Sequence, residues 1–202
     1  MKLYYTPGAC SLASHIVARE AGIDLQLEKV DLQAKTTSDG TAFAIINPKG
    51  YVPALRLDNG ELLTEGTAIV QYLAEQKPAA GIAPTAGTLD RARLQEMLGY
   101  INSEIHKSFG PLFNPAIMAE QRTERIAYLY KRYDLIEQQL GKHEYLVGDR
   151  FSPADAYLFT VTNWADHLKV DMSKYPNVLA FQKRIFARPA VQAAMKAEGL
   201  IH

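Results

Sequence analysis

The chain has 202 residues, of which 48% are hydrophobic and 22% charged, and its 22 basic side chains balance 22 acidic ones. A net charge of zero argues against a nucleic-acid or membrane-surface partner, and no apolar run is long enough to cross a bilayer. The single cysteine cannot form an internal disulfide, which favours a reducing compartment, so we expect a cytoplasmic protein.

The first part of the chain alternates strand and helix patterns. Short β-rich or alternating segments bounded by turn residues predict strands over 2–6, 25–32 and the two arms of a hairpin over 52–64. Apolar residues at helical spacing predict helices over 11–23 and 65–76, with one short helix just before Asn47-Pro48. The predicted order is therefore β-α-β-α-β-β-α.

The rest of the chain carries only helix patterns. Residues 78–88 are rich in proline, glycine and small side chains, and they predict a linker. Apolar stripes predict long helices over 89–109 and 121–140, and two or three more within 153–198. We therefore expect an α/β domain over 1–77, the linker, and an all-α domain over 89–202.

Cys10 is the first candidate for chemistry. It follows a Thr-Pro-Gly turn and begins the first predicted helix together with Ser11. Free amides and the helix dipole at such a position favour a thiolate and lower the pKa of a cysteine from its free value of ~8.5. The alternative is a small buried core residue, which is the commoner role of a lone cysteine.

Two further segments predict groups that bind a small peptide. Pro53 at the start of a hairpin arm indicates an edge or a cis bend, which leaves the backbone of Val52 free to pair with an extended peptide. Glu65-Gly66-Thr67 lies where a strand gives way to a helix, so its amides suit a carboxylate and Glu65 suits an ammonium group. An ordinary loop proline and a plain helix-terminal acid are the alternatives.

A folding signal lies near residue 152. Ser152 and Asp155 have the spacing of a capping box, with aspartate in place of glutamate, and Pro153 occupies the first helical position. This pattern predicts a helix start and no catalytic role.

Taken together, these features resemble a cytosolic glutathione S-transferase, and most closely one of the bacterial beta class. The resemblance covers essentially the whole chain, and its class-level part depends on Cys10 together with His106-Lys107. It implies a thioredoxin-like N-terminal domain that binds glutathione, followed by a helical-bundle domain that forms the hydrophobic electrophile site.

The resemblance also implies roles for individual residues. Glutathione would lie extended, with its cysteinyl backbone antiparallel to Val52 beside a cis-Pro53, its γ-glutamyl end at Glu65-Gly66 and its sulfur close to Cys10. Lys35 would reach the glycyl carboxylate. The full set of expected glutathione-binding residues is Cys10, Lys35, Tyr51, Val52, Pro53, Glu65, Gly66, Ser103, Glu104, His106 and Lys107.

His106 is expected near the sulfur, with Lys107 beside it. Small or polar residues form one stripe of the predicted 89–109 helix, which suits a cleft wall: Gly99, Ser103, His106 and Gly110. A surface histidine is the alternative without the resemblance. Ser103 and Glu104 are expected to contact glutathione from the other subunit of a homodimer.

The sequence departs from the family pattern at two points. Gly66 stands where many relatives have serine, so the hydroxyl contact is lost and Thr67 is the substitute. Many animal classes hold the thiolate with an N-terminal tyrosine, but alternation sends Tyr4 and Tyr5 to opposite faces of the strand. We rank Cys10 first, Ser11 second and Tyr5 third as the group beside the thiolate, and take Cys10, Ser11 and His106 as the catalytic set.

The expected function is conjugation of reduced glutathione to hydrophobic electrophiles, a detoxification activity, with Cys10 able to form a mixed disulfide with glutathione. Trp164 and His167 lie three apart on one helical face and are expected at the electrophile site, although core packing also explains Trp164. The alternatives are a glutaredoxin-like thiol-disulfide transferase and a non-catalytic binder of glutathione or hydrophobic ligands. Glutathione is expected as co-substrate, without a metal or another cofactor.

Overall fold

The computed structural model describes every residue from Met1 to His202, and the chain divides into two units. The first unit combines Met1–Ala83 with Ala187–His202, and the second is Pro84–Phe186. The helices, in chain order, are α1 Ser11–Glu20, α2 Phe43–Ile46, α3 Gly66–Glu75, α4 Leu89–Tyr100, α5 Lys107–Phe109, α6 Ala119–Leu140, α7 Pro153–Thr162, α8 Trp164–His167, α9 Pro176–Phe186 and α10 Pro189–Ala197. None of them is both long and apolar enough to span a membrane.

The first unit is built on a five-stranded sheet with the order β3-β2-β1-β4-β5. Its strands are β1 Lys2–Tyr5, β2 Gln26–Asp31, β3 Thr36–Thr37, β4 Ala54–Arg56 and β5 Leu62–Thr64. β1 is parallel to β2, and the other neighbours are antiparallel. The predicted β-α-β-α-β-β-α order is confirmed, with β3 added. β3 has only two polar residues, so it carried no alternating pattern.

Alternation along β1 decides which side chains each face of the sheet receives. Tyr4 packs with Val30, Phe43, Val52 and Ala54 in one buried cluster, and its ring lies 5.8 Å from that of Phe43. The expectation that the two neighbouring tyrosines face opposite ways agrees with this cluster, which contains Tyr4 alone of the pair.

The last helix belongs to the first unit because polar contacts tie it to α1 and the preceding turn. Glu198 follows α10, and its buried carboxylate accepts the Gly8 N–H at 3.0 Å and contacts His15 Nδ1 at 3.0 Å. Arg188 donates to Glu20 through Nε at 2.6 Å and through a second nitrogen at 2.8 Å. The units therefore differ from the expected division of the chain over 187–202, since helical periodicity does not reveal a helix's partner.

The second unit surrounds α7, all of whose residues are buried. The capping box at its start is confirmed: Asp155 accepts the Ser152 N–H at 2.8 Å and the Ser152 hydroxyl at 2.8 Å. Asp155 also accepts the Leu146 N–H at 2.9 Å, which ties the preceding loop to the helix start.

The predicted helix over 89–109 is not one continuous α-helix. Residues Ile101–His106 between α4 and α5 form a π-helical turn, in which the Lys107 N–H reaches the carbonyl of Asn102. A π turn shifts the phase of the helix, so the predicted stripe of Gly99, Ser103, His106 and Gly110 does not run along a single α-helical face. A further turn of 3-10 helix, Gly110–Phe113, follows α5.

Candidate functional site

Cys10 is presented by a turn that Ser11 holds closed. The buried Ser11 hydroxyl accepts the Thr6 N–H at 3.2 Å and donates to the Thr6 carbonyl at 3.2 Å. Both hydrogen-bonding roles of this hydroxyl are therefore used within the turn. These two bonds hold the turn, and the role of the hydroxyl beside the thiolate, ranked second, stays a prediction. The backbone N–H of Ser11 has no acceptor within the chain.

The Cys10 side chain is partly exposed and points across to the next loop. Its Sγ donates to the carbonyl of Val52 at 3.3 Å. The buried small residue that formed the alternative interpretation is therefore not what the structure contains. A thiol at a helix start, within contact distance of a loop backbone, is accessible to chemistry.

The Val52 loop has the cis Val52-Pro53 peptide bond that the sequence suggested. The alternative of an edge strand is wrong, because β4 lies between β1 and β5 and Val52 precedes it. Asn47 shapes the loop: its side chain donates to the Tyr51 carbonyl at 2.8 Å and accepts the Lys49 N–H at 3.1 Å. The N–H of Val52 is left without a partner within the chain.

The start of α3 presents free amides beside an acidic side chain. No side chain caps this helix, and the N–H groups of Gly66 and Thr67 have no acceptor within the chain. Glu65 has a φ of 69°, a left-handed conformation that is uncommon outside glycine and concentrates at functional sites. The carboxylate of Glu65 accepts from Lys49 Nζ at 2.6 Å and from the Tyr51 hydroxyl at 3.0 Å.

These contacts connect Tyr51 and Glu65, both expected at the site, with Lys49, which the sequence reasoning missed. The hydrogen bond to Glu65 raises the pKa of the Lys49 ammonium and that of the Tyr51 phenol. The only feature of the sequence that could have indicated Lys49 as a site residue is its position between the Asn47-Pro48 turn and Tyr51. Lys35 is exposed in a turn with a φ of 58°, and its side chain makes no hydrogen bond or ion pair.

Tyr5, the third-ranked candidate for the thiolate, is buried on β1. Burial raises the pKa of its phenol, and the charges of Glu198 and Glu28 raise it further. The hydroxyl is therefore a weak acid and stays protonated at neutral pH.

His106 lies in the second unit within a polar chain of contacts. Its Nδ1 is 2.6 Å from the Tyr157 hydroxyl, which donates to Asn102 Oδ1 at 3.0 Å. Burial, with a smaller contribution from the neighbouring Lys107 charge, lowers the pKa of His106 to about 4. At neutral pH the imidazole is consequently uncharged, so it acts through hydrogen bonding and not through positive charge.

An aromatic cluster surrounds Trp164. Its indole contacts His106, Phe109 and Phe113 edge-to-face, at centroid distances of 4.9, 5.7 and 5.4 Å. The His167 ring stacks on Phe113 with a centroid distance of 6.4 Å. Trp164 is buried, whereas Phe113 and His167 are exposed, so the cluster has one packed side and one open side.

The remaining predicted residues on the π turn differ in their surroundings. The Ser103 hydroxyl donates to the Gly99 carbonyl at 3.0 Å, and Lys107 is exposed. Glu104 forms an ion pair with Arg132 at 2.9 Å and accepts the Tyr128 hydroxyl at 2.8 Å. Contacts of these side chains with glutathione stay predictions.

Comparison with known proteins identifies the family. Residues 8–76 match the family model of the glutathione S-transferase N-terminal domain, and residues 100–189 match that of the C-terminal domain. Glutathione S-transferase GstA of Escherichia coli O157:H7 is 46% identical over 200 residues, covering 99% of this chain and all of that protein. The chain belongs to the glutathione S-transferase family.

Solved structures place this glutathione transferase in the bacterial beta class. The beta class enzyme of Sphingomonas chungbukensis is 46% identical with a TM-score of 0.96, and each chain is covered completely. A sphingomonad glutathione S-transferase complexed with glutathione is 45% identical with a TM-score of 0.95, again with complete coverage of both chains. The thioredoxin-like N-terminal and helical C-terminal domains expected from the sequence are confirmed, and the protein is an enzyme.

Proposed function

We propose that this transferase conjugates reduced glutathione to hydrophobic electrophiles, with the tripeptide held by the first unit. The proposal is supported by unpaired backbone N–H groups beside a thiol and a carboxylate. The Val52 N–H suits the backbone of the tripeptide, and the N–H groups of Gly66 and Thr67 suit its γ-glutamyl carboxylate. The Cys10 thiol suits the glutathione sulfur, and the Glu65 carboxylate suits the α-ammonium group.

The geometry of Cys10 supports the position of the sulfur. The thiol already contacts the Val52 carbonyl at 3.3 Å, so a cysteinyl residue paired with the Val52 backbone brings its own sulfur close to Cys10. The Ser11 N–H at the start of α1 is then the donor for a glutathione thiolate, aided by the helix dipole. Lys35 is the proposed partner of the glycyl carboxylate.

The second unit is proposed to hold the electrophile. The open side of the aromatic cluster, at Phe113 and His167, offers ring faces to a hydrophobic molecule, and the buried Trp164 supports them. His106 is proposed to act at the glutathione sulfur as a neutral hydrogen-bonding group. Function as a cytoplasmic homodimer, with Ser103, Glu104 and Lys107 reaching glutathione, is proposed from membership of the family.

Cys10 gives the site a second capability. A Cys10 thiolate attacks one sulfur of oxidised glutathione; a new S–S bond forms, the old one breaks, and one glutathione leaves as its thiolate. Reduced glutathione reverses the step by attacking the mixed disulfide. We propose that this chemistry accompanies conjugation without being required for it, and a glutaredoxin-like transferase is the second candidate function.

Replacing Cys10 by alanine is expected to separate the two activities. Disulfide reduction and the glutathione adduct disappear, because the variant has no thiol, whereas conjugation continues at a severalfold lower rate since the Ser11 N–H remains. The measurements are initial rates with an activated aryl chloride and with a small mixed disulfide. Disulfide reduction by the native chain without any conjugation would favour the glutaredoxin-like function.

Replacing Gly66 by serine is expected to lower the KM for glutathione. A Cβ at residue 66 meets Pro53 Cγ at 3.5 Å, an ordinary contact, so the side chain fits. Its hydroxyl can donate to the γ-glutamyl carboxylate, and one added hydrogen bond of about 1 kcal/mol lowers KM roughly fivefold. Gly66→Ala is the matched control, with the same Cβ and no hydroxyl. Equal KM values for the two variants would show that the carboxylate does not lie there.

A further inference from the structure

The hydroxyl of Tyr157 lies between two partners, and its single proton can serve only one of them. It donates to Asn102 Oδ1 at 3.0 Å. The contact of 2.6 Å between the same oxygen and His106 Nδ1 then requires a proton on the imidazole nitrogen. The chain of donors therefore runs from His106 to Tyr157 to Asn102, and it leaves the lone pair of His106 on Nε2.

The π turn is what brings these groups together. Asn102 and His106 are four residues apart within it, and both reach the hydroxyl of Tyr157 on α7. Tyr157 is buried and its ring lies edge-to-face with the imidazole at 5.8 Å. Trp164 contacts the same imidazole at 4.9 Å, so the ring is held by packing as well as by the hydrogen bond.

We infer that Asn102 and Tyr157 are positioning residues that fix His106 in the Nδ1–H form and so make Nε2 a hydrogen-bond acceptor. Among the groups of the reaction, the glutathione thiol can donate to such an acceptor: the S–H bond breaks, the proton passes to Nε2, and the electron pair stays on sulfur as the thiolate. This inference rests on the proposed function, because the orientation of His106 affects catalysis only if the enzyme conjugates glutathione. Neither Asn102 nor Tyr157 was singled out from the sequence.

The side-chain chemistry at residue 102 provides a matched pair of variants. Aspartate is an acceptor only, so Asn102→Asp keeps the Tyr157 proton directed away from His106. Asn102→Ala removes the acceptor, and the Tyr157 proton is then free to turn to Nδ1. That reversal moves the imidazole proton to Nε2 and leaves no acceptor there.

The test combines spectroscopy with kinetics. Long-range proton–nitrogen correlation spectra of the histidine rings at neutral pH assign the tautomer of His106, and a His106→Gln variant identifies its signals among the five histidines. The native chain and Asn102→Asp are expected to show Nδ1–H, and Asn102→Ala a growing share of Nε2–H. The same Asn102→Ala change is expected to lower kcat for conjugation roughly tenfold, part of the usual acid–base contribution, with the KM for glutathione unchanged.

Three results overturn the inference: Nε2–H in the native chain, the same tautomer in Asn102→Ala, or a tautomer change without loss of kcat. Tyr157→Phe gives an independent check, since it removes the bridging hydroxyl while keeping the ring, and thermal melting confirms that each variant is folded. A native chain that does not conjugate glutathione at all contradicts the proposed function instead, while the spectra still report the tautomer.

Discussion

Replacing Asp155 by alanine is expected to lower the free energy of unfolding of the second unit by about 3 kcal/mol. The change leaves three donors without their acceptor, the N–H groups of Leu146 and Ser152 and the Ser152 hydroxyl, and each lost partner of a buried group costs about 1 kcal/mol or more. Urea unfolding followed by the fluorescence of Trp164, the only tryptophan, reports on this unit.

The same carboxyl group makes stability depend on pH. Burial raises its pKa to about 6, against the hydrogen bonds from Leu146 and Ser152 that lower it. Because the folded value exceeds the unfolded one, the contribution of the protonated form is fully present below about pH 4 and is lost as the pH rises through 6. As the pH falls from 7 to 4, the free energy of unfolding of the native chain should therefore increase by about 2 kcal/mol relative to that of Asp155→Asn.

Asp171→Ala is the matched control. Asp171 accepts the Ser173 N–H and hydroxyl in the same pattern as Asp155 with Ser152, but it is exposed, so water replaces the lost acceptor. The control is expected to unfold at nearly the native urea concentration. Equal effects of the two alanine variants would contradict a stabilising role for the buried capping box.

Replacing Glu198 by glutamine is expected to lower the free energy of unfolding by about 2–3 kcal/mol and to raise the KM for glutathione. The amide oxygen and nitrogen of glutamine cannot both accept, so the hydrogen bond to either the Gly8 N–H or His15 is lost. Gly8 belongs to the turn that presents Cys10, and a looser turn displaces the thiol from the Val52 carbonyl. Denaturation curves and glutathione kinetics measure the two effects.

The ion pair between Glu20 and Arg188 supplies the control. It also joins α10 to α1, but through Glu20, the last residue of α1, at the end opposite the Gly8 turn. Glu20→Gln is expected to destabilise the first unit while leaving the KM for glutathione unchanged. A Glu198→Gln variant that is destabilised with an unchanged KM would show that the carboxylate supports the fold and not the binding turn.

Local signals predicted the first unit well. Turn residues bounded β1 and the hairpin of β4 and β5, and apolar spacing gave α1 and α3 to within a few residues. The hydrogen-bond partners of polar side chains could not be predicted from the sequence. Ser11 looked like a candidate for the thiolate because a hydroxyl at a helix start suits that role, but its bonds to Thr6 depend on how the turn closes.

Most of the features that the sequence patterns did not predict depend on contacts between distant parts of the chain. Residues 187–202 lie in the first unit because Glu198 reaches Gly8 and His15, 190 and 183 positions away. The π turn at Ile101–His106 was not predicted, because the apolar pattern was compared with the 3.6-residue period of an α-helix. Tyr157 meets His106 across 51 positions, and Lys49 acquires its place only through Glu65.

The position of the glutathione sulfur beside Cys10 is tested by the intact mass of the native chain after exposure to oxidised glutathione, measured together with a conjugation assay with reduced glutathione. With one cysteine in the chain, we expect a single glutathionyl adduct, its absence in Cys10→Ala, and formation of a glutathione conjugate by the native enzyme. Neither adduct nor conjugate, in a folded protein, would contradict a glutathione sulfur resting beside Cys10.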